Sequence, residues 1–577
     1  MAEPSKAPQH PMTSAEQRVV ELEAQLAAVI QERDSLRLAY RNLQAEIELL
    51  RRRLFVAKAE RLDTQQLELE FADKLAALDA LTRQLQPPGE PGGTGGRTPP
   101  SKERPARKPK GRRDLREADL PEERIEVTDP SLDGRAERFD WEESCRLMWR
   151  RAGFVRLVIA RAKYRNVDDD TTAAAEAEAP AATSLRTAPL PLSILPRAMA
   201  TPSLLAHILS EKFCDGLPFH RQEDRFLRLG VPIDRGSMSR WAEDLGATAG
   251  ATVVAAMRTD ALATAFCIST DATGVLVQTL AGAEQTRHRC HRGHFLVQIA
   301  DADHVFFEYL AHETSAAIGE LFRGFQGYVQ ADAKSVFDLL YRPPAERPPP
   351  DDGEPDLAER LEVGCWSHCR RKFWEAAITC KDAVAREALL RIKRIFDLDR
   401  SWKGKPPEAI KSLREQHLRP HTDAFFAFVE EHHARVKDQR GMLRSALGYA
   451  VRQKGPLTRF FDDGRLQLTN NGAERELRRV AVGRKAWLFV GSDDHAQAAG
   501  NLLSLVASAR LHRLDPEAYL RDLFRVLPHW PRDRYLELAP KYWVATRARL
   551  DAAQLAAEFG PLVIPEPPPT SEQPPPR

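Results

Sequence analysis

Apolar residues recur three and four apart along residues 14–62: Val19, Leu22, Leu26, Val29, Leu36, Tyr40, Leu43, Ile47, Leu50 and Leu54, with Arg33 the one charged member of the series. Neither Gly nor Pro interrupts the run. A helix this polar elsewhere can bury such a stripe only against a partner helix, so the spacing predicts a coiled coil that dimerises or trimerises, with a homodimer through residues 19–54 expected. The alternative is a single amphipathic helix packed on its own domain. Helical character without clean heptads continues to residue 86, which makes 14–86 the expected oligomerisation segment. The pattern then stops. Residues 87–121 open on PPGEPGGTGG and cannot build a core, so a disordered linker is expected there.

Residues 122–190 are expected to form a small β-containing domain, with strands within 122–166, Gly153–Ile159 among them, and 168–186 as a poorly ordered connection. Residues 200–250 return to a helical period. One apolar-faced helix is expected over Ser203–Cys214, a second over Arg221–Leu229 and a third over Gly236–Leu245. Gly230-Val231-Pro232-Ile233 is a tight turn, and Asp234 is a cap for the third helix. Helix, short Gly-containing turn and helix fit a helix-turn-helix, with Arg235, Ser237, Ser239 and Arg240 exposed for base edges and phosphates. An ordinary helical hairpin is the alternative.

Between 264 and 340 the pattern becomes mixed. Strands are expected over Ala265–Thr270, Gly274–Leu280, Phe295–Ala300, Val305–Leu310 and Tyr328–Ala331, with a helix over Ser315–Phe325. The first strand ends at Asp271 and the last at Asp332. Hairpin strands, a helix and a returning strand, each end carrying an Asp, is the pattern of an RNase H-like α/β sheet. Carboxylates brought together at strand ends are costly unless a cation neutralises them. Mg²⁺ or Mn²⁺ suits hard oxygen ligands, and two ions can serve an in-line displacement at phosphorus. Glu474, in the first turn of a helix capped by Asn470 or Asn471, is the candidate third acid. Each acid also has a plain structural use: Asp271 in a turn, Asp332 as a helix cap, and Glu474 paired with Arg478 one turn on.

Basic residues flank these acids. Arg370, Arg371 and Lys372 open a helix after an apolar strand, and Arg478, Arg479, Arg484 and Lys485 follow Glu474. All are candidates for DNA phosphates. Cys365, His368 and Cys369 have metal-ligand spacing without a second pair, so zinc is not expected there. His288, Cys290, His291 and His294 read as a surface or DNA-facing hairpin loop. Residues 381–460 read as a helical insertion within a catalytic domain over 262–510, with a C-terminal helical segment at 511–548 and a disordered Pro-rich tail at 560–577.

Composition changes this picture in one respect. Lys+Arg total 85 and Asp+Glu 83, a formal net charge of +2, which excludes a uniformly basic protein. Yet Arg97–Arg116 holds nine Lys/Arg against two acids, a local net charge of +7 that suits a phosphate-binding tether, or a linker kept soluble by its charge. No apolar run approaches the ~20 residues of a spanning helix, and the polar start MAEPSKAPQHPM has no signal-peptide core. A cytoplasmic, membrane-free location is expected. Seven irregularly spaced cysteines argue against a disulfide framework.

Several long motifs in order resemble a transposase of the bacterial insertion-sequence-66 family. They are LFVAKAERL (54–62), the stretch 203–241, GYVQADAKSVFD (327–338), VGCWSHCRRKFWEA (363–376), LTNNGAERELRR (468–479), GRKAWLFVGSD (483–493) and LDPEAYLRDLFRVLP (514–528). The resemblance implies a multidomain α+β chain: coiled coil, helix-turn-helix over about 218–245, and an RNase H-like catalytic domain. It implies a metal-dependent DNA transposase with Asp271, Asp332 and Glu474 as catalytic acids and metal ligands. Its partners would be transposon ends and target DNA in the bacterial nucleoid, with accessory proteins of the same element. The family's Asp-Glu-Thr is here Asp271-Ala272-Thr273, and its Gly-Tyr after the second acid is Ala333-Lys334. Its cysteine-pair zinc segment has only Cys145 in 122–190, which makes that domain a degenerate zinc-binding region. Two other readings stand beside it: a catalytically inactive DNA-binding relative or regulator, and an RNase H-like nuclease or resolvase.

Overall fold

The computed structural model describes residues 120–150, 153–165, 185–196, 198–278, 290–347 and 355–567, together with Ala77. The heptads of 14–62 and the basic arm lie outside the described residues, as do nearly all of the 168–186 connection and the tail beyond 567. The elements run β1 (Glu122–Val127), β2 (Glu137–Arg150), β3 (Gly153–Arg165), β4 (Leu185–Thr187), α1 (Pro202–Phe213), α2 (Phe219–Arg228), α3 (Arg235–Leu245) and α4 (Ala251–Thr264). Then come β5 (Cys267–Gln278), β6 (Cys290–Ala300), β7 (His304–Leu310), α5 (Ser315–Leu321), β8 (Gly327–Gln330), β9 (Arg360–Val363) and α6 (Trp366–Thr379). They are followed by α7 (Ala383–Ser401), α8 (Pro407–Leu413), α9 (Arg419–Val436), α10 (Met442–Arg452), α11 (Asn471–Trp487), α12 (Asp493–Leu511), α13 (Pro516–Val526) and α14 (Pro540–Ala548). His368–Lys454 form one compact unit, and the remaining described residues, Ala77 aside, belong to the other.

The larger unit holds two mixed sheets. In the first, β3 lies between parallel β1 and antiparallel β2, and β4 pairs with the far end of β3. The second has the order β7-β6-β5-β8-β9: β5, β6 and β7 form an antiparallel meander, and β8 and β9 run parallel to β5. The sequence splits β5 into two strands around Gly274, but the structure has one strand from Cys267 to Gln278. Gly274 pairs with His294 in its middle, and the Arg292 side chain covers the space a Cβ would need. Glycine is used here for close approach rather than as a break. The helix expected over Ser315–Phe325 stops at Leu321, and Gly324 takes φ +77° in the turn that follows.

The edge strand β7 is buried on both faces, and its outward N–H groups need partners. α12 supplies them. Ser504 Oγ accepts from the Phe307 N–H at 2.8 Å, and Ser508 Oγ accepts from the Val305 N–H at 2.9 Å. Gly500, one turn earlier, lets the helix lie against the Phe307 carbonyl. α12 is buried along most of its length, as its Ala and Leu content predicts.

The three helices expected over 203–245 form at α1, α2 and α3. Gly230 takes φ +77° in the turn, and the Asp234 carboxylate accepts the Ser237 N–H at 3.0 Å as the cap of α3. α3 does not end freely. It passes through a π-turn, Gly246–Gly250, into α4. Gly246 faces the Ala498 backbone, and Asn501 Nδ2 donates to the Gly246 carbonyl at 3.0 Å. The Gly246 carbonyl also accepts the Ala251 N–H at the end of the π-turn, so the α12 side chain adds a second bond to the same oxygen.

α4 ends on a buried polar cluster. Asp260 accepts from His304 at 2.8 Å, Lys541 at 3.1 Å and Tyr542 at 3.2 Å. Burial alone would raise the Asp260 carboxyl, but the His304 and Lys541 contacts outweigh it and hold it below the usual range. Its ionised form therefore stabilises the fold above the ordinary carboxyl pKa, and that contribution is lost as pH falls through the depressed folded value. Asp260→Asn is expected to cost about 3 kcal/mol at neutral pH, and the difference from wild type should narrow in acid. Urea melts across pH measure both.

In the His368–Lys454 unit, Asp382 caps α7 by accepting the Ala385 N–H, and Phe373, Leu389, Ile392, Phe425 and Val429 are buried. Phe373 and Phe425 meet edge to face at 6.1 Å.

Candidate active site

β5 and β8 pair in parallel with Ser269 opposite Gln330. Asp271 and Asp332 lie two residues beyond that pair, at equivalent positions on neighbouring chains. Pairing with β8 has stopped by then, while β5 continues along β6. Asp271 is therefore inside a strand rather than at its end, and it sits where one neighbour departs.

Glu474 reaches the same region through its helix. Asn470 occupies the N-cap position of α11, but its side chain does not cap. Its Nδ2 donates instead to the Thr270 carbonyl at 2.6 Å, and its backbone N–H donates to Cys365 Sγ at 3.2 Å. Asn470 is buried, so the start of α11 is tied to the residue before Asp271. Gln330 adds a second tie, donating to the Gln467 carbonyl at 2.7 Å.

A cation is already present among these acids. Lys334 Nζ lies 3.5 Å from Asp332 Oδ2 and 3.7 Å from Glu313 Oε1. Partial burial would lower the Lys334 ammonium, but the fields of Asp332, Glu313 and Asp271 outweigh it and hold it above its ordinary value. Glu313 also faces His294 Nε2 at 3.7 Å. Burial pushes the His294 imidazole down, against the pull of Glu313. Asp332 Oδ1, Glu313 Oε1 and His294 Nδ1 are buried without a hydrogen-bond partner. An orphaned carboxylate oxygen is costly, and such hard oxygen donors are the kind a divalent cation like Mg²⁺ takes. Asp271, Asp332 and Glu474 are not all within 4.8 Å of one another. Glu313 was missed by sequence reasoning. The signal available was Lys334, an unexpected cation two residues after an acid.

Other expected site residues fall variously. Arg235 is exposed, with Glu223 at 3.9 Å, and Arg240 donates to Ser237 Oγ at 3.1 Å. Ser239 is half-buried. Arg479 is held by Glu476 at 2.7 Å. Arg484 is committed to the strand, donating to Thr273 Oγ1 at 3.2 Å and to the Gly274 carbonyl. Lys485 is exposed and Arg478 half-buried. Arg370 is buried, Arg371 pairs with Glu375 at 3.2 Å, and Lys372 lies over Tyr449 at 5.4 Å. Burial removes Arg370 from the phosphate-facing set. Cys290, His291 and His294 lie on β6 rather than on a loop. His291 faces Asp493 at 3.0 Å. His288 lies outside the described residues, and among those described no metal-competent cluster forms around Cys145.

The sequence model of the Transposase IS66 family matches residues 197–498, more than half of the chain. The chain belongs to this family. An IS66 C-terminal element matches 504–540, over the end of α12 and α13, and a segment described as Transposase C of IS166 homeodomain matches 42–125. Three relatives come from Sinorhizobium fredii (strain NBRC 101917 / NGR234). The uncharacterized protein y4hP is 28% identical over 64% of this chain, y4jD 25% over 58% and y4qI 24% over 61%. The matches cover 66%, 64% and 64% of the lengths of y4hP, y4qI and y4jD. The family match encloses all three acids and α2–α3. Among the described residues no helix is long and apolar enough to cross a membrane.

Proposed function

We propose that this IS66-family chain is a DNA transposase that binds the terminal inverted repeats of its own element and cleaves and joins strands there. The observation that carries this is that Asp271 and Asp332 each lie two residues past the paired Ser269 and Gln330 of adjacent parallel strands, with Asn470 tying the helix of Glu474 to Thr270. The sheet order β7-β6-β5-β8-β9, meander first and parallel strands after, supports an RNase H-like domain over 262–510, interrupted by a helical insertion. Asp271, Asp332 and Glu474 would hold two Mg²⁺ or Mn²⁺ ions, which when bound supply charge neutralisation at the reacting phosphate.

The remaining roles belong to the chain itself. Lys334 neutralises Asp332 and Glu313 and keeps these acids together. Arg478 and Lys485, on the helix that carries Glu474 in its first turn, would hold the DNA backbone beside it. α2 and α3 read the duplex, with Arg235, Ser237, Ser239 and Arg240 toward it. The arm at 97–116 adds sequence-independent attraction. Residues 19–54 pair two copies so that two ends are held together, in the cytoplasm and with accessory proteins of the element as further partners.

The test uses the purified full chain with DNA carrying the element's ends. Binding is expected with or without Mg²⁺, and nicking at the ends only with it, abolished by chelation. Nicking unaffected by chelation overturns the proposal. Lys334, a cation standing among the acids, favours a second reading: a DNA-binding relative without catalysis. End binding with no nicking under any divalent metal would select it.

A further inference from the structure

Along α11, beginning one residue after Glu474, runs a groove of about 950 Å³. Its other wall is α3 and the segment between α1 and α2. Its lining includes the aromatic side chains of Phe219, Trp487 and Phe489 and the cations Lys212, Arg235 and Arg475. Phe489 is 46% exposed although apolar. It is presented by a strained backbone: Leu488 just before it takes φ +66°, rare for a branched side chain. The strain is held by Val490, whose N–H donates to the Leu276 carbonyl and whose carbonyl accepts from Gln278, each at 2.8 Å.

Charge in the groove is unbalanced. Lys212 is half-buried against Phe219 at 4.3 Å, with no carboxylate within ion-pair distance among the described residues. Burial without such a partner lowers its ammonium to about 8, and an anion would restore it. Three acids line the groove against six Lys and Arg: Glu243 is engaged by His495 at 2.9 Å, Glu476 by Arg479 at 2.7 Å, and Asp215 is exposed. Cations over an aromatic floor match a ligand with phosphates and flat apolar faces. Duplex DNA hides its base faces in the stack, whereas an unpaired strand offers them. The volume lies near the top of the range of about 300–1,000 Å³ for drug-sized ligands, room for roughly one or two nucleotides.

We propose that this groove binds an unpaired DNA strand next to the cleavage site, with Phe489 and Trp487 stacking on bases and Lys212 and Arg475 neutralising phosphates. The inference rests on the transposase reading and deepens it: the strand held open beside Glu474 is one of the two strands of the end being processed.

The experiment measures the affinity of the full chain for a fluorescent oligothymidylate and for a blunt duplex at fixed salt. Phe489→Ala is expected to weaken oligothymidylate binding about tenfold, with Phe489→Tyr restoring most of it, because stacking is lost and regained. Lys212→Met is expected to weaken it and to lower the salt dependence by about one released ion. Duplex affinity should be unchanged in all three variants, and thermal melts should match wild type, because Phe489 is not in the core. Unchanged oligothymidylate binding in Phe489→Ala and Lys212→Met overturns the site, and so does wild-type protein that binds duplex alone. Wild-type protein that binds neither form of DNA overturns the transposase reading as well.

Discussion

Asp332→Ala is expected to lower strand cleavage at the element's ends by about 10³-fold or more, with end binding and the melting temperature nearly unchanged. The magnitude follows from what removal of one member of an interdependent catalytic set does in general. The selectivity follows from this site. Asp332 lies just past the β8 pairing, and its Oδ1 has no hydrogen-bond partner to lose. Its Oδ2 lies 3.5 Å from Lys334 in a partly exposed position, so that contact stabilises the fold little. Duplex recognition is assigned to α2 and α3, which the substitution does not touch. A cleavage assay on end-bearing DNA, paired with a binding assay, measures the two effects separately. Cleavage that survives in Asp332→Ala removes these three acids from the chemistry.

Gly500→Val is expected to destabilise the larger unit by about 3 kcal/mol or more. Any Cβ at this position would overlap the Phe307 carbonyl oxygen, a backbone atom that cannot swing away. To make room, α12 would have to retreat from β7. That would stretch the bonds by which Ser504 and Ser508 satisfy the Phe307 and Val305 N–H groups. A buried strand edge with unpaired donors would then add to the overlap. Ser504→Ala removes one of those acceptors without steric strain and should cost about 1–2 kcal/mol. Urea unfolding followed by tryptophan fluorescence orders the two variants, and equal stability of Gly500→Val and wild type would contradict the close packing of α12 on β7.

Helices and turns were legible where local chemistry sets them. Gly230 and Asp234 mark the turn and cap between α2 and α3, because positive φ and a side-chain acceptor are local demands. The strands were legible by period but not by extent. Gly274 looked like a break because its reason, the Arg292 side chain on the neighbouring strand, comes from a residue far along the chain. His291 and His294 looked like a loop cluster, since spacing alone cannot distinguish ligands from alternating residues of β6. Arg484 and Arg370 looked like phosphate hooks. Whether an arginine faces solvent, a strand carbonyl or a core is decided by what packs against it.

By itself, the sequence determined the alternation of helical and strand segments, the helix–turn–helix order of 202–245 and the three acids worth asking about. It also determined the family, through long motifs in fixed order. These depend on neighbours within a few turns or on runs of residues taken together. The tertiary structure alone decided that Asp271 and Asp332 follow a paired Ser269 and Gln330 by two residues each, that Asn470 anchors the helix of Glu474 to Thr270, and that Glu313 and Lys334 join the acids. It also decided that an aromatic, cation-lined groove continues from that point along α11. Each of these joins parts of the chain separated by tens to hundreds of residues, and the burial that fixes them exists only once the sheet and its covering helices have closed.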